Sequence, residues 1–167
     1  MEIEQPDDFP ATFYAVIEIP MGSNCKYEYD EKLEAIKLDR VLFTSMVYPT
    51  NYGFIPSTRG KDGDPLDAMV ISSVPIAPGM VVKCRAVGIA EMSDEEGEDN
   101  KAIAVPVEKV DPSSALIKSE ADIPEHLKQK IKHFFEHYKE LEKGKFMKFH
   151  GFKGKEEAQK QIKDAAK

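Results

Sequence analysis

The chain has 167 residues, of which 41% are hydrophobic and 32% are charged, and its formal net charge is −7. These values exclude an intrinsically disordered chain and predict one globular domain over residues 1–167. The acidic balance argues against a nucleic acid or an anionic membrane as partner, because basic patches bind both of these.

Cysteine usage, the N-terminal residues and the lack of a long apolar run predict a cytoplasmic location. The two cysteines, Cys25 and Cys84, have no C-x-x-C spacing and form no disulfide framework, which is typical of a reducing compartment. Residues 1–10 are acidic and lack the apolar core of a signal peptide. The sequence contains no run of about 18 apolar residues, so it predicts no membrane span.

Short strands and turns are predicted for the first half of the chain. Residues 12–19 are rich in β-branched and aromatic side chains, and residues 26–29 alternate charged with aromatic ones. Residues 39–44 predict a third short strand. Residues 46–65 contain three prolines and three glycines, which predicts a long irregular segment. A long loop inside a compact domain is usually functional.

Three further strands and an acidic turn are predicted for the middle of the chain. The strands cover residues 67–74, 80–92 and 102–107, where apolar residues dominate. Residues 93–100 join the last two strands and carry five acidic side chains. This arrangement predicts a hairpin with a charged tip.

Helices are predicted for the last third of the chain. Apolar residues recur at helical spacing after Pro124, and Gly144 is expected to end that helix. A short strand over residues 145–149 and a final helix with Ala158, Ile162 and Ala165 on its apolar face follow. Strands followed by helices predict a mainly β (α+β) fold, as a barrel or a sandwich with helices packed on one side.

The first candidate site is a turn with three carboxylates within six positions, Asp62, Asp64 and Asp67. Gly63 and Pro65 within it exclude a helix. Carboxylates about 5 Å apart repel by roughly 1–3 kcal/mol, and Mg²⁺ is commonly held by a few such groups. The alternative is that aspartate and glycine are simply good turn formers.

A second candidate is the acidic turn, where Asp94 and Asp99 lie near the tip of the predicted hairpin. Lys101 follows Asp99 by two positions, so both side chains share a face of an extended strand. A solvated charged hairpin is the alternative interpretation. Two acidic clusters at strand ends make a site for several metal ions more plausible than either cluster alone.

Cationic side chains outside the helices, and three tyrosines, are candidate contacts for a phosphate ligand. Arginine presents a planar fork suited to phosphate oxygens, although a surface ion pair is the alternative for Arg40. Tyrosine hydroxyls can donate to phosphate, but tyrosines are also common in cores and at their rims. The candidates are Lys26, Arg40, Arg59, Lys101, Tyr48, Tyr52 and Tyr138.

One helical motif points to a different chemistry. His133 and His137 match the H-x-x-E-H pattern of some zinc peptidases. Both histidines lie on one side of the predicted helix, away from the centre of its apolar stripe, and no third ligand is evident. A place at the rim of the core or at a subunit contact is the simpler interpretation.

The motifs also occur as an ordered set along almost the whole chain. The set comprises V-I-E-I-P at 16–20, K-Y-E at 26–28, L-D-R at 38–40, Y-P-T-N-Y-G at 48–53, D-G-D-P-L-D at 62–67, D-E-E-G-E-D at 94–99 and H-F-F-E-H-Y-K at 133–139. It resembles the soluble family I inorganic pyrophosphatases, especially the short bacterial and archaeal type. The resemblance implies an OB-like five-stranded β-barrel with flanking C-terminal helices.

The resemblance also implies roles for individual residues. Asp64 is similar to the family's general base, and Asp67 is expected to bridge two metal ions. The implied metal ligands are Asp62, Asp67, Asp94, Asp99 and Glu28. The implied phosphate-binding residues are Lys26, Arg40, Tyr52, Lys101, Tyr138 and Lys139, with Glu18 and Tyr48 in supporting places.

The implied reaction is hydrolysis of inorganic pyrophosphate to two orthophosphates by direct attack of a metal-activated water. Several Mg²⁺ ions per site are expected, with Mn²⁺ as a possible substitute, and self-association as a homohexamer is implied. Phe146 and Phe152 stand where relatives often carry tryptophan. Two other functions are compatible with the residues: a magnesium phosphohydrolase acting on nucleotides or phosphate esters, and a non-catalytic OB-fold binding module.

Overall fold

A computed structural model describes residue 1 and residues 3–167. It contains nine strands, two α-helices and two short 3₁₀ segments in the described part of the chain. The strands are β1 (Phe13–Ile19), β2 (Cys25–Asp30), β3 (Ala35–Val41), β4 (Asn51–Phe54), β5 (Asp67–Val70), β6 (Val81–Asp94), β7 (Gly97–Glu98), β8 (Lys101–Pro106) and β9 (Met147–Gly154). The helices are α1 (Glu125–His137) and α2 (Lys155–Asp164), and the 3₁₀ segments are Pro112–Leu116 and Glu120–Asp122.

Five of the strands close into a barrel. Neighbours pair in the order β1–β4–β5–β8–β6, and β6 then pairs with β1 and completes the circle. The pairs are antiparallel except β5 with β8, which run parallel. Closure removes the unpaired edges that an open sheet would expose. The expected OB-like five-stranded barrel is confirmed.

The strands of the barrel are buried on both faces, which explains their nearly continuous apolar sequences. All six residues of β8 are buried. Alternate residues join different parts of the core: Met69 and Ile103 pack with α1, whereas Ala68 and Ala102 pack with α2. The helices therefore cover faces of the sheet that would otherwise expose apolar surface, which costs roughly 25 cal/mol per Å².

Gly53 marks a place where only glycine fits. A Cβ built on Gly53 would lie 1.8 Å from the main-chain oxygen of Val16, which belongs to the paired strand β1. The close approach allows β1 and β4 to pair where the register shifts between Ile17 and Ile19. The glycine of the Y-P-T-N-Y-G motif therefore has a packing role.

Two additions extend the barrel towards the candidate site. The 14-residue strand β6 continues past the barrel and pairs with β7 and β9 at its far end. Strands β2 and β3 form a separate two-stranded hairpin whose β2 residues are all half-buried. Neither of the two described helices has the length and apolarity that a membrane crossing needs.

Several predicted boundaries were wrong. The third strand covers Ala35–Val41 rather than 39–44, and the irregular segment 46–65 contains the four-residue strand β4. Helix α1 ends at His137, since residues 138–145 form successive turns. Strand β9 extends to Gly154 instead of ending near residue 149 because it pairs with β6 over its length. Pairing with a distant strand carries no local signal.

Candidate functional site

The carboxylate turn leads into β5 and is built from local hydrogen bonds. Oδ1 of Asp62 accepts from the amide of Asp64 at 3.0 Å, and Gly63 has a φ of +94°, where side chains with a Cβ are disfavoured. The buried hydroxyl of Thr58 accepts from the amide of Leu66 at 2.9 Å. These contacts place Asp62 and Asp64 at the surface and Asp67 half-buried at the start of the strand.

Lys101 joins the two acidic clusters. Its Nζ donates to Asp67 Oδ2 at 2.8 Å and to Asp99 Oδ1 at 2.9 Å. The parallel register of β5 and β8 sets Asp67 beside Lys101, and Asp99 lies on the same face two residues earlier. Because only 2% of the Lys101 side chain is exposed, a buried cation is paired with two carboxylates at the end of the barrel.

Burial and the neighbouring charges have opposite effects on the pKa values of Lys101 and Asp99. Burial lowers the pKa of Lys101, but Asp67 and Asp99 outweigh burial and raise that pKa above its usual value. Burial raises the pKa of Asp99, although Lys101 acts in the opposite direction. A neutral substitute for Lys101 would leave two carboxylates without their compensating charge, which is strongly unfavourable in a low-dielectric site.

Aromatic side chains form the floor beside Lys101. The Tyr52 hydroxyl donates to Asp67 Oδ2 at 2.6 Å, and the Lys101 Nζ lies 5.5 Å from the centre of the Tyr52 ring. Tyr48 packs on Phe134 with ring centres 4.6 Å apart, and Phe134 stacks on Tyr138 at 5.0 Å. Helix α1 therefore positions tyrosines for which the residues alone left two interpretations open, a phosphate contact or a place in the core or at its rim.

Tyr138 lies among the charged groups of both clusters. Burial raises the pKa of Tyr138 to about 12, with Lys101 and Arg40 opposing that rise and Asp99 adding to it. The Tyr138 hydroxyl thus stays protonated at neutral pH. A protonated hydroxyl can donate a hydrogen bond to an anionic ligand.

Lys139 links the acidic hairpin, residues 93–100 with the strand ends beside them, to the segment after α1. Its Nζ lies 3.5 Å from Asp94 Oδ2 and 3.3 Å from Glu95 Oε2, and Glu95 also pairs with Lys145 at 3.1 Å. Burial tends to raise the pKa of Glu95, but hydrogen bonds from its own backbone amide and from Lys145 lower it to about 2. Asp94 and Lys139 are therefore neighbours although 45 positions separate them in the chain.

The β2–β3 hairpin carries a third group of charged side chains. Lys26 pairs with Glu28 and lies 3.5 Å from Asp39, and Arg40 Nη1 donates to Asp39 Oδ2 at 2.5 Å. Arg40 Nε lies 2.9 Å from Glu142 Oε1. Arg40 therefore does form ion pairs, which the sequence analysis gave as the alternative to a phosphate contact. The pairs are half-buried, however, and one of them reaches the segment after α1.

Glu18 holds the hairpin against the barrel. Its Oε1 accepts from the amide of Tyr29 at 2.8 Å. Burial raises the pKa of Glu18 to about 8, and the charges of Asp67 and Glu28 act in the same direction. Glu18 is therefore protonated at neutral pH and belongs to the electrostatic surroundings of the acidic cluster.

A cleft of about 810 Å³ opens between the carboxylate turn, the acidic hairpin, β9 and α2. Four of the predicted ligands line it, namely Asp62, Asp67, Asp94 and Asp99. Asp64 lies beside this group, and its pKa is raised by partial burial, then by Asp62, Asp67 and Glu28. Arg59 also lines the cleft, on the side of α2.

The histidine pair lies elsewhere on α1. The ring centres of His133 and His137 are 4.5 Å apart, and Nδ1 of His137 lies 2.8 Å from Glu140 Oε2. In the described part of the chain, no three His, Cys, Asp or Glu side chains converge as they stand into a metal-holding group. At the acidic site, the Lys101 ammonium lies between Asp67 and Asp99.

Three residues of the site were missed by the sequence analysis. Asp39 contacts both Lys26 and Arg40, Glu95 contacts Lys139, and Glu142 contacts Arg40. Asp39 and Glu95 lie inside the recognised motifs, so their position was a usable signal. Glu142 lies in a lysine- and glutamate-rich turn, where its sequence does not distinguish it from Glu140.

A family model described as inorganic pyrophosphatase matches residues 15–167. The chain belongs to the inorganic pyrophosphatase family. The inorganic pyrophosphatase of Thermoplasma volcanium is 69% identical over 165 residues, which cover 99% of this chain and 98% of that protein. That of Saccharolobus solfataricus is 55% identical over 93% of this chain and 91% of its own length.

Solved structures of this family have the same fold. The crystal structure of the inorganic pyrophosphatase from Thermus thermophilus matches with a TM-score of 0.95 and 47% identity, covering 98% of this chain and 94% of that one. The structure from Helicobacter pylori matches with a TM-score of 0.94 at 47% identity, covering 99% of this chain and 96% of that one. The family and the barrel expected from the ordered motifs are thereby confirmed.

Proposed function

We propose that this protein hydrolyses inorganic pyrophosphate to two orthophosphates. The relatives from Thermoplasma volcanium, Saccharolobus solfataricus and Sulfolobus acidocaldarius are 69%, 55% and 52% identical and are named inorganic pyrophosphatases, and the alignments span 98%, 91% and 96% of their lengths. The single observation that carries the proposal is the meeting of two acidic clusters, four cations and three tyrosines at one end of the barrel. Such a mixture suits a small, highly charged anion that arrives with metal ions.

The donor set of the cleft fits divalent cations such as Mg²⁺. Its acidic side chains offer hard carboxylate oxygens, and an anionic ligand could not approach them without added positive charge. The residues proposed to hold the ions are Asp62, Asp67, Asp94 and Asp99 in the cleft, with Asp67 shared, and Glu28 on strand β2 outside it. When bound, Mg²⁺ or Mn²⁺ would neutralise phosphate charge and lower the pKa of water for direct attack on phosphorus.

The proposed proton acceptor is Asp64. Asp64 is exposed on the turn and lies between the proposed ligands Asp62 and Asp67 in the sequence, and its pKa is raised by partial burial and by these two carboxylates. A raised pKa improves a carboxylate as a general base at neutral pH, because the driving force for accepting a proton grows.

Phosphate contacts are assigned to residues from three elements. Lys26 and Arg40 come from the hairpin, Lys101 from β8, and Tyr138 and Lys139 from the turns directly after α1. Each of these cations is already paired with a carboxylate, so its orientation is partly set before a ligand arrives. Preset orientation reduces the entropy lost on binding. Tyr52 contacts the site through Asp67, with Tyr48 packed behind it.

Phosphate release is the direct test. The purified protein should release orthophosphate from pyrophosphate in the presence of Mg²⁺, and chelation should stop the reaction reversibly. ATP and a phosphate monoester should be poor substrates under the same conditions. Preferential hydrolysis of either would favour the other magnesium phosphohydrolases, and no release from any substrate would favour a binding module.

We propose that the protein is cytoplasmic and that it assembles as a homohexamer. Large apolar side chains that are about half exposed or more support self-association, among them Phe43, Val47, Val74, Met80 and Leu116. The unpaired Cys25 and Cys84 support a reducing compartment. His133 and His137 are proposed to lie near a subunit contact.

A further inference from the structure

Two carboxylates approach the Arg40 guanidinium from different sides. Nη1 donates to Asp39 Oδ2 at 2.5 Å, and Nε lies 2.9 Å from Oε1 of Glu142. Nη2 makes no hydrogen bond to any residue that the structure describes. Since the guanidinium is planar, carboxylates at its Nε and Nη1 sides also restrict the direction of Nη2.

Glu142 is more buried than an ordinary surface ion-pair partner. Only 10% of its side chain is exposed, and its Oε2 has no hydrogen-bond partner among the described residues. Arg40 Nε also lacks an aligned hydrogen bond, so charge rather than hydrogen-bond geometry holds the pair. A buried carboxylate without a cation is strongly unfavourable, which ties the position of Glu142 to that of Arg40.

Glu142 also connects two parts of the site, the segment after α1 and the β2–β3 hairpin. Its amide donates to the Lys139 carbonyl at 3.0 Å, and its carbonyl accepts from the Lys145 amide at 3.2 Å. These turns follow directly on α1 and carry Lys139, whereas Arg40 belongs to the β2–β3 hairpin. The ion pair therefore spans from the segment after the helix to the hairpin, across 102 positions of sequence.

We propose that Glu142 is a positioning residue that holds the Arg40 guanidinium in one orientation, with Nη2 available to a phosphate oxygen of the substrate. The inference rests on the proposed pyrophosphate hydrolysis and adds a residue to it. Glu142 itself does not touch the substrate. Asp39 holds the second side of the guanidinium, so removing Glu142 loosens Arg40 without freeing it.

Kinetics of a double-mutant cycle test this role. Glu142→Gln keeps the shape of the side chain and removes its charge, and we expect the KM for pyrophosphate to rise about tenfold with kcat changed less than about twofold. In an Arg40→Gln background the same change should have no further effect, because its target is gone. Glu142→Asp should raise the KM less than Glu142→Gln does, because it keeps the charge on a shorter side chain.

Glu140→Gln is the matched control. Glu140 lies two positions away in the same turn, is exposed, and pairs with His137 instead of Arg40. Its KM should equal that of the unaltered protein. An unchanged KM in Glu142→Gln, or a KM rise that persists in full in the Arg40→Gln background, would overturn the proposal. A loss of thermal stability alone would assign Glu142 a merely structural role.

Chemical modification of Arg40 gives a readout that does not depend on turnover. Phenylglyoxal reacts with the deprotonated guanidine, and the chain has only three arginines, so peptide mass spectrometry can follow Arg40 separately. Arg40 should react several-fold faster in Glu142→Gln and at the usual rate in Glu140→Gln. If pyrophosphate is not hydrolysed at all, the proposed function fails, while an unchanged modification rate shows that Glu142 does not restrain Arg40.

Discussion

Single residues in this site act through their neighbours. Asp67 is the clearest case, since its Oδ2 accepts from both Tyr52 and Lys101, at 2.6 and 2.8 Å. Its carboxylate thus combines a structural task with the proposed binding of two metal ions. The two tasks separate when charge is removed and shape is kept.

Asp67→Asn should abolish most turnover and leave the fold intact. The amide oxygen can still accept from Tyr52 and Lys101, but the charge proposed to serve two metal ions is lost, so we expect kcat to fall roughly a hundredfold or more. Phosphate release and circular dichroism measure the two properties. Asp7→Asn, at an exposed position, is the matched control. Near-normal hydrolysis by folded Asp67→Asn would rule out the bridging role.

Glu18 predicts a pH dependence of stability. Its pKa is about 8 in the folded chain, against 4.5 when unfolded. Between these values the folded state keeps a proton that the unfolded state releases, so the contribution of Glu18 to stability falls as the pH rises across that window. Above about pH 8 the loss is complete.

Glu18→Gln removes that titration and should flatten the decline. Urea unfolding at pH 5 and pH 8, in the absence of divalent cations, gives the difference in unfolding free energy for each variant. The decline from pH 5 to pH 8 should be smaller in Glu18→Gln than in the unaltered protein. The exposed Glu31→Gln serves as control. Equal declines in all three proteins would show that Glu18 is not protonated at neutral pH.

Elements contribute by bringing distant segments to one end of the barrel. The parallel pairing of β5 with β8 aligns Asp67 with Lys101, and the extension of β6 carries Asp94 beyond the barrel. Helix α1 then covers the floor with Phe134 and Phe135 and delivers Tyr138 at its end. The geometry of the site therefore depends on the register of the strands.

Gly53→Ala should disturb that register. The new Cβ would meet the Val16 main-chain oxygen at 1.8 Å, and neither strand can move without breaking barrel pairing, so we expect a loss of at least about 3 kcal/mol in unfolding free energy. Gly154→Ala is the control, since its Cβ would meet only ordinary contacts and the cost should stay near or below about 1 kcal/mol. Similar losses in both variants would contradict the role of Gly53.

The whole molecule behaves as one unit if its two core clusters depend on each other. One cluster packs the barrel against α1 and the other against α2, and neighbouring residues of the same strands alternate between them. The C-terminal end of α2 also contacts the site, because Arg59 in the lining of the cleft donates its amide to the Ala165 carbonyl at 2.7 Å. Neither cluster can therefore be removed without opening the barrel.

Unfolding should accordingly be a single transition, as expected of one domain over residues 1–167. Tyrosine fluorescence reports mainly on the cluster with Tyr48, Tyr52 and Tyr138, since the chain has no tryptophan, whereas circular dichroism reports on all elements. The two urea curves should coincide at a fixed protein concentration. Two separated midpoints would show that the α2 side unfolds independently.

The amino-acid sequence was enough to predict the mainly β fold with C-terminal helices, the two acidic clusters and the family, because these depend on local periodicity and on ordered motifs. It could not fix the bounds of β3, α1 or β9, the alignment of Asp67 with Lys101, or the contact of Glu142 with Arg40. These depend on strand register and on contacts between segments up to 102 positions apart, which form only when the whole chain folds.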